Sequence, residues 1–356
     1  MSEHLTDMGT VWFWLVTFML SAYIVLDGFD IGVGILQPFI GRNSEERGAL
    51  LETIRPVWDG NEVWLIAAGA TLLFAFPLLY GLAFSGFYLA LNILLWLLVF
   101  RGIGVELRMH LTVPLWREFF DGCFVLASLL LALFFGVGLA NVIRGVGTNP
   151  GSPFFLPLWT DLRPGASPGI LDWYTIPGGL LAVASLALHG ALYLTLKTDN
   201  ELHARARRWA FRLWPAVVAL TVVSVPATAI ARPASLANYM RFPVAFLAPV
   251  LVIAALAGIF LFARIDRWSL AFASSCLFLT AMLFGAAAGL YPTVLPSSVN
   301  PALDLTIQKA EAGPHAISAG LLWWGGGIAL AIVYFVFVYR MFRGRVSIFA
   351  SSTREH

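Results

Sequence analysis

Long stretches of the chain carry no Asp, Glu, Lys or Arg, and their lengths set the architecture. A helix needs about 20 mostly apolar residues to cross a bilayer. Residues 8–26 open the first such run, whose apolar character continues past Asp27 and Asp30 to Ile40. Residues 63–100 are uncharged for 38 positions. At about 1.5 Å per residue that is too long for one crossing and fits two, with Pro77 and Gly81 marking the turn. Further spans follow at 122–143, 173–196, 213–231 and 242–263. The run 268–303 is also uncharged, with its helix ending near Tyr291-Pro292, and 316–339 is the last. The pattern predicts nine membrane helices joined by short loops. The longest loops, near 144–172 and 292–315, are rich in Pro, Gly and Ser. Residues 1–7 are acidic and no small-residue cleavage site follows, so the first run reads as a retained span.

Composition agrees. The 356 residues are 59% hydrophobic and 12% charged, where soluble domains carry about 25% charge. Too few polar groups exist to cover a water-soluble surface. The net charge of +2 points away from nucleic acid. Cys123 and Cys276 both lie in apolar runs and read as packing residues. With nine spans, 17 of the 22 basic residues fall on the side of the odd-numbered loops and the C-terminus. The positive-inside rule then places the N-terminus outside and the C-terminus in the cytoplasm. Trp12, Trp14, Trp116, Trp159, Trp173 and Trp268 lie near span ends, as interfacial belts require. Gly28 and Gly32, and Gly285 and Gly289, have the spacing of close helix contacts, and Gly325-Gly326-Gly327 reads as a tight packing site or a bend.

The few intramembrane charges carry the functional signal, because each is costly there. Asp27 and Asp30 lie deep in the first span on one face. The second span begins through Arg55-Pro-Val-Trp-Asp-Gly-Asn-Glu62, which places Arg55, Asp59 and Glu62 on one helical face. The third leaves the membrane at Phe100-Arg101 and continues to Glu106 and Arg108. Spans 4–9 show almost nothing comparable apart from His189. Asp59 reads as a point of proton uptake and Glu62 as a relay. Asp27, Asp30, Trp58, Arg101 and Glu106 form a structural or coupling cluster, in which arginine–carboxylate pairing either locks the fold or tunes the relay. His189 stands alone, without the second ligand a haem or metal site needs, so no metal site is expected. Charges confined to one side and one half of the chain disfavour a proton-coupled transporter, which would use a midplane site built from both halves. A purely structural membrane subunit is the other alternative.

Four segments together resemble subunit II of cytochrome bd-type quinol oxidases, including the cyanide-insensitive branch. They are Tyr23-Ile-Val-Leu-Asp-Gly-Phe-Asp-Ile-Gly-Val-Gly34, Pro56-Val-Trp-Asp-Gly-Asn-Glu-Val-Trp64, Phe74-Ala-Phe-Pro-Leu-Leu-Tyr80 and Phe100-Arg-Gly-Ile-Gly-Val-Glu-Leu-Arg108. The detailed match covers about residues 20–110. The resemblance implies an all-α polytopic membrane fold in a single transmembrane domain. Its parts would be two four-helix bundles, residues 1–145 and 170–291, and a peripheral ninth helix at 316–341. It implies a heterodimer with a haem-bearing subunit I, which holds two b-type haems and a d-type or third b-type haem. The complex oxidises membrane quinol and reduces O2 to water in the bacterial cytoplasmic membrane, with protons taken from the cytoplasm. This chain would bind no haem itself. Small single-span subunits and a structural quinone are implied for some members. Asp59 matches the position at the mouth of the family's proton path.

Overall fold

The computed structural model describes residues 2–110, 112–148, 154–163, 165 and 168–346. The chain opens with α1 (Ser2–Ile40), the long first span, which contains Pro38 near its end. A short helix, α2 (Ser44–Ile54), follows at once. Its start is fixed locally: Asn43 accepts the Glu46 N–H, and the Glu46 carboxylate accepts the Arg42 N–H. This reciprocal arrangement resembles a capping box. The buried side of α2, including Leu50, Leu51 and Ile54, closes one end of the helix assembly.

α3 (Trp58–Ala75) runs beside α1. Its 18 residues give a length of about 27 Å. The expected turn at Pro77 is a helix of its own, α4 (Pro77–Gly86), with proline at its first position. α5 (Tyr88–His110) returns, and α6 (Pro114–Arg144) packs antiparallel to it. α7 (Thr175–Lys197), α8 (Asn200–Ala231), α9 (Pro233–Arg241), α10 (Leu247–Arg264) and α11 (Trp268–Leu290) follow. A two-stranded hairpin pairs β1 (Thr293–Leu295) with β2 (Leu305–Thr306), followed by α12 (Ile307–Ala310). α13 (Pro314–Met341) completes the described chain.

Among the described residues, eight helices are long and apolar enough to cross a membrane. The expected second span, α3, has Asp59, Asn61 and Glu62 in its first two turns, which makes it more polar than those eight. With it the count is nine. α1 contacts α3, α6, α7 and α11, while α7 contacts α6, α8 and α11, so α1 and α7 form the central seam. Their crossing is very close: a Cβ on Gly32 would lie 2.1 Å from the Leu186 carbonyl oxygen and 2.8 Å from Gly190 Cα. Only glycine allows that approach, which lets helices gain van der Waals contact where lipid supplies no hydrophobic drive. Gly285 and Gly289 do face neighbours, the Tyr239 and Ser235 side chains of α9.

Several sequence expectations are corrected. Gly325, Gly326 and Gly327 pack against nothing among the described residues, since no atom lies within 4 Å of a Cβ built on any of them, and α13 runs through them without a break. Trp12 and Trp268 are buried, and the Trp12 indole donates to the Ile317 carbonyl, so these two serve packing rather than a lipid interface. Trp116 and Trp159 are exposed. Arg354, one of the 17 basic residues, lies outside the described residues.

The candidate charged site

Asp27 of α1 and Arg101 of α5 form a two-pronged ion pair at 2.7 and 2.6 Å, both fully buried. The planar guanidinium matches the carboxylate fork, the strongest geometry such a pair can take. The same guanidinium reaches Glu62 of α3 at 3.3 Å. Three helices are thus joined by one arginine. Arg101 is 1% exposed and sits in the packed interior of the helix assembly, and α5 continues nine residues further with Val105 and Arg108 also buried.

Asp30 lies one turn beyond Asp27 and is held differently. Asn61 donates to it at 2.8 Å and to the Leu26 carbonyl at 3.1 Å, while the Tyr339 hydroxyl donates to Asn61 at 2.8 Å. α13 is therefore tied to the site through Tyr339. The other oxygen of Asp30 is buried with no partner among the described residues. Glu62 is 19% exposed in its side chain. Asp59, one turn earlier on α3, is exposed and forms no ion pair among the described residues. Trp58 donates to Glu106 at 3.3 Å, joining α3 to α5 nearer the same end.

Arg55 does not share this face. It caps α2 and pairs with Glu52 at 3.2 Å, and Pro56 belongs to the turn before α3. The cluster read as one group therefore divides. A second buried group centres on Asp121 of α6, which accepts from Arg108 at 2.6 Å and Gln37 at 3.0 Å, with Arg47 at 3.8 Å. Arg108 also donates to the Ser44 carbonyl, which fastens α2. The expectation that later spans lack comparable charges fails here. It fails again at the opposite end, where buried Arg144 pairs with buried Asp172. Asp172 also accepts the Tyr174 and Thr175 N–H groups at 2.8 Å, fixing the start of α7.

Glu46 of α2 accepts both guanidinium nitrogens of Arg205, at 2.8 and 2.5 Å. That hydrogen-bonded arginine holds the Glu46 carboxyl below the usual carboxylate range.

His189 sits at the central seam with both ring nitrogens engaged: Nδ1 with the Ser275 hydroxyl at 2.7 Å, Nε2 with the Val25 carbonyl at 2.9 Å. Its ring stacks on Phe272 at 4.8 Å. As packed, it has no lone pair to offer an iron, so it does not fit an axial haem ligand. Among the described residues no three His, Cys, Asp or Glu side chains group as a metal site requires.

The chain superimposes on the bd oxidase structure from Geobacillus thermodenitrificans with a TM-score of 0.77, at 17% identity, over 94% of this chain and 98% of that one. Residues 8–342 match the family model for cytochrome bd terminal oxidase subunit II, and the chain belongs to that family. It is 31% identical to the cytochrome bd-I ubiquinol oxidase subunit 2 of Escherichia coli K12, over 95% of this chain and 94% of that one. It is 29% identical to the cytochrome bd ubiquinol oxidase subunit 2 of Bacillus subtilis, over 96% and 98%. It is thus a multi-span subunit of a haem-containing terminal oxidase complex with a partner oxidase subunit.

Proposed function

We propose that this chain is the haem-free half of a quinol-oxidising, O2-reducing heterodimer in the bacterial inner membrane, and that it delivers protons to the haem-bearing partner through Asp59 and Glu62. The N-terminus lies outside and the C-terminus in the cytoplasm, following the distribution of basic residues. The observation that carries the proposal is the gradient along one face of α3. Asp59 is exposed, and Glu62, one turn further in, is mostly covered and touches the buried Arg101–Asp27 pair. A carboxylate open to water captures a proton. A carboxylate beside a fixed arginine can hold or release one without creating an isolated buried charge.

Asp27 and Arg101 play a different part. Their two short hydrogen bonds in a dry site suit a fixed charge that holds α1 against α5. Asp30, Trp58 and Glu106 position α3 between its neighbours. Residues 1–145 and 170–291 act as two halves related by the α1–α7 seam, with α13 at the edge. Membrane quinol is the substrate of the complex, and the haems belong to the partner.

Replacing Asp59 by Asn in the assembled complex tests the proposal. Turnover with quinol and O2 should fall at least tenfold while haem content and subunit ratio stay at wild-type values, and Asp59→Glu should restore most of it. Unchanged turnover removes Asp59 from the path. Loss of haem together with activity assigns it a structural part.

A further inference from the structure

A second charged feature lies at the same end of the molecule, away from the carboxylates. Arg42, just after α1, and Arg205, Arg208 and Arg212 of α8 line a cavity of about 260 Å³ together with Phe39 and Trp209. The α8 residues fall at i, i+3, i+4 and i+7, so one helical face supplies three arginines and the indole. Arg205 forms the floor, already committed to Glu46. Arg42, Arg208 and Arg212 form no ion pair among the described residues and are exposed. Four guanidinium groups thus share one carboxylate, and the cavity retains about three positive charges.

Its walls and height matter as much as its charge. Phe39 is 54% exposed and packs against Trp209 at 5.0 Å, while Arg212 lies over the Trp209 ring at 5.5 Å. The uncharged stretch of α8 begins at Leu213, one residue beyond the last arginine. The cavity therefore lies where hydrocarbon gives way to headgroups, with an aromatic wall on the side of the bilayer. Basic pockets between membrane helices on a cytoplasmic face bind anionic lipid headgroups. A free anion would use the arginines but have no use for the aromatic wall.

We propose that this cavity binds an anionic phospholipid, with phosphate between Arg42, Arg208 and Arg212 and an acyl chain along Phe39 and Trp209. A doubly anionic headgroup suits the charge best, since it can engage the three unpaired guanidinium groups at once. A bound lipid would bridge α1 and α8, which share few direct contacts at this end.

The test uses the purified oxidase complex, delipidated in nonionic detergent and titrated with tetraoleoyl cardiolipin, dioleoyl phosphatidylcholine or inorganic phosphate. Bound copies are counted by native mass spectrometry. The wild-type complex should retain cardiolipin in preference to phosphatidylcholine. Arg208→Gln with Arg212→Gln should weaken cardiolipin binding by about 25-fold, roughly fivefold per arginine. Arg42→Gln, which lies outside any helix, should weaken it about fivefold and serves if the double variant fails to assemble. Equal cardiolipin retention in the variants overturns the proposal. So does displacement of cardiolipin by millimolar phosphate, which would mark a free-anion site, or a crosslink from this cavity to an acidic segment of the partner subunit.

Discussion

Replacing Arg101 by Gln removes the one cation that joins α1, α3 and α5. Asp27 is 0% exposed and would keep no charge partner, and Glu62 would lose its contact at 3.3 Å. Removing one member of a buried ion pair costs about 3–5 kcal/mol, because the other charge is left uncompensated. Asp27→Asn is the milder change, since Arg101 keeps Glu62. The double variant Asp27→Asn with Arg101→Gln leaves a neutral amide pair in place of the ions, and should recover at least about 2 kcal/mol relative to the sum of the single changes. Arg101→Lys keeps the charge but loses the fork, and should fall between wild type and Gln. The assay is a denaturant or thermal unfolding series on the complex in detergent, scored by the fraction that remains assembled on size exclusion. If the two single changes add without coupling, or if Arg101→Gln is no worse than Asp27→Asn, the lock reading is wrong.

Two other outcomes follow from the packing. Gly32→Ala places a methyl group 2.1 Å from the Leu186 carbonyl oxygen, so α1 and α7 must separate; the complex should lose about 1–3 kcal/mol of thermal stability, measured by heating the detergent-solubilised assembly, whereas Gly326→Ala should leave it unchanged or slightly higher. The Glu46–Arg205 pair should contribute to holding α2 only while Glu46 is ionised. Because Glu46 titrates below its ordinary value in the folded chain, its contribution is full above that ordinary value of 4.5 and fades as pH drops through the lower folded value. Protection of the Ser44–Ile54 amides, taken relative to their intrinsic exchange rates at each pH, should therefore fall on acidification in wild type more than in Glu46→Gln.

Much of this architecture is legible in the chain because membrane spans are long and written in a simple code. The uncharged run 63–100 demanded two crossings even though α3 is too polar to stand out by itself. Its turn could not be read as a helix, since α4 is as apolar as the spans that flank it. α2 and α9 were equally hidden, because short helices between spans look like loops. Among site residues, the carboxylates and Arg101 announce themselves by being charged in apolar surroundings. Their partition does not follow from spacing: Asp121 meets Arg108 across the α5–α6 turn and Gln37 from 84 residues earlier, and Asn61 and Tyr339 carry no charge to mark them. Asp121 does leave one trace, as the last charge before the uncharged run 122–143. At Arg55 helical spacing misleads in the opposite sense, because the turn at 55–57 breaks the helix between it and Asp59.

The central claim is that protons enter through α3. Proton uptake from the medium during oxidation of the fully reduced complex by O2, followed with a pH-sensitive dye, tests it directly. Asp59→Asn and Glu62→Gln should slow uptake and O2 reduction together with haem spectra unchanged, while Glu106→Gln should not. Wild-type uptake rates in both variants would contradict it.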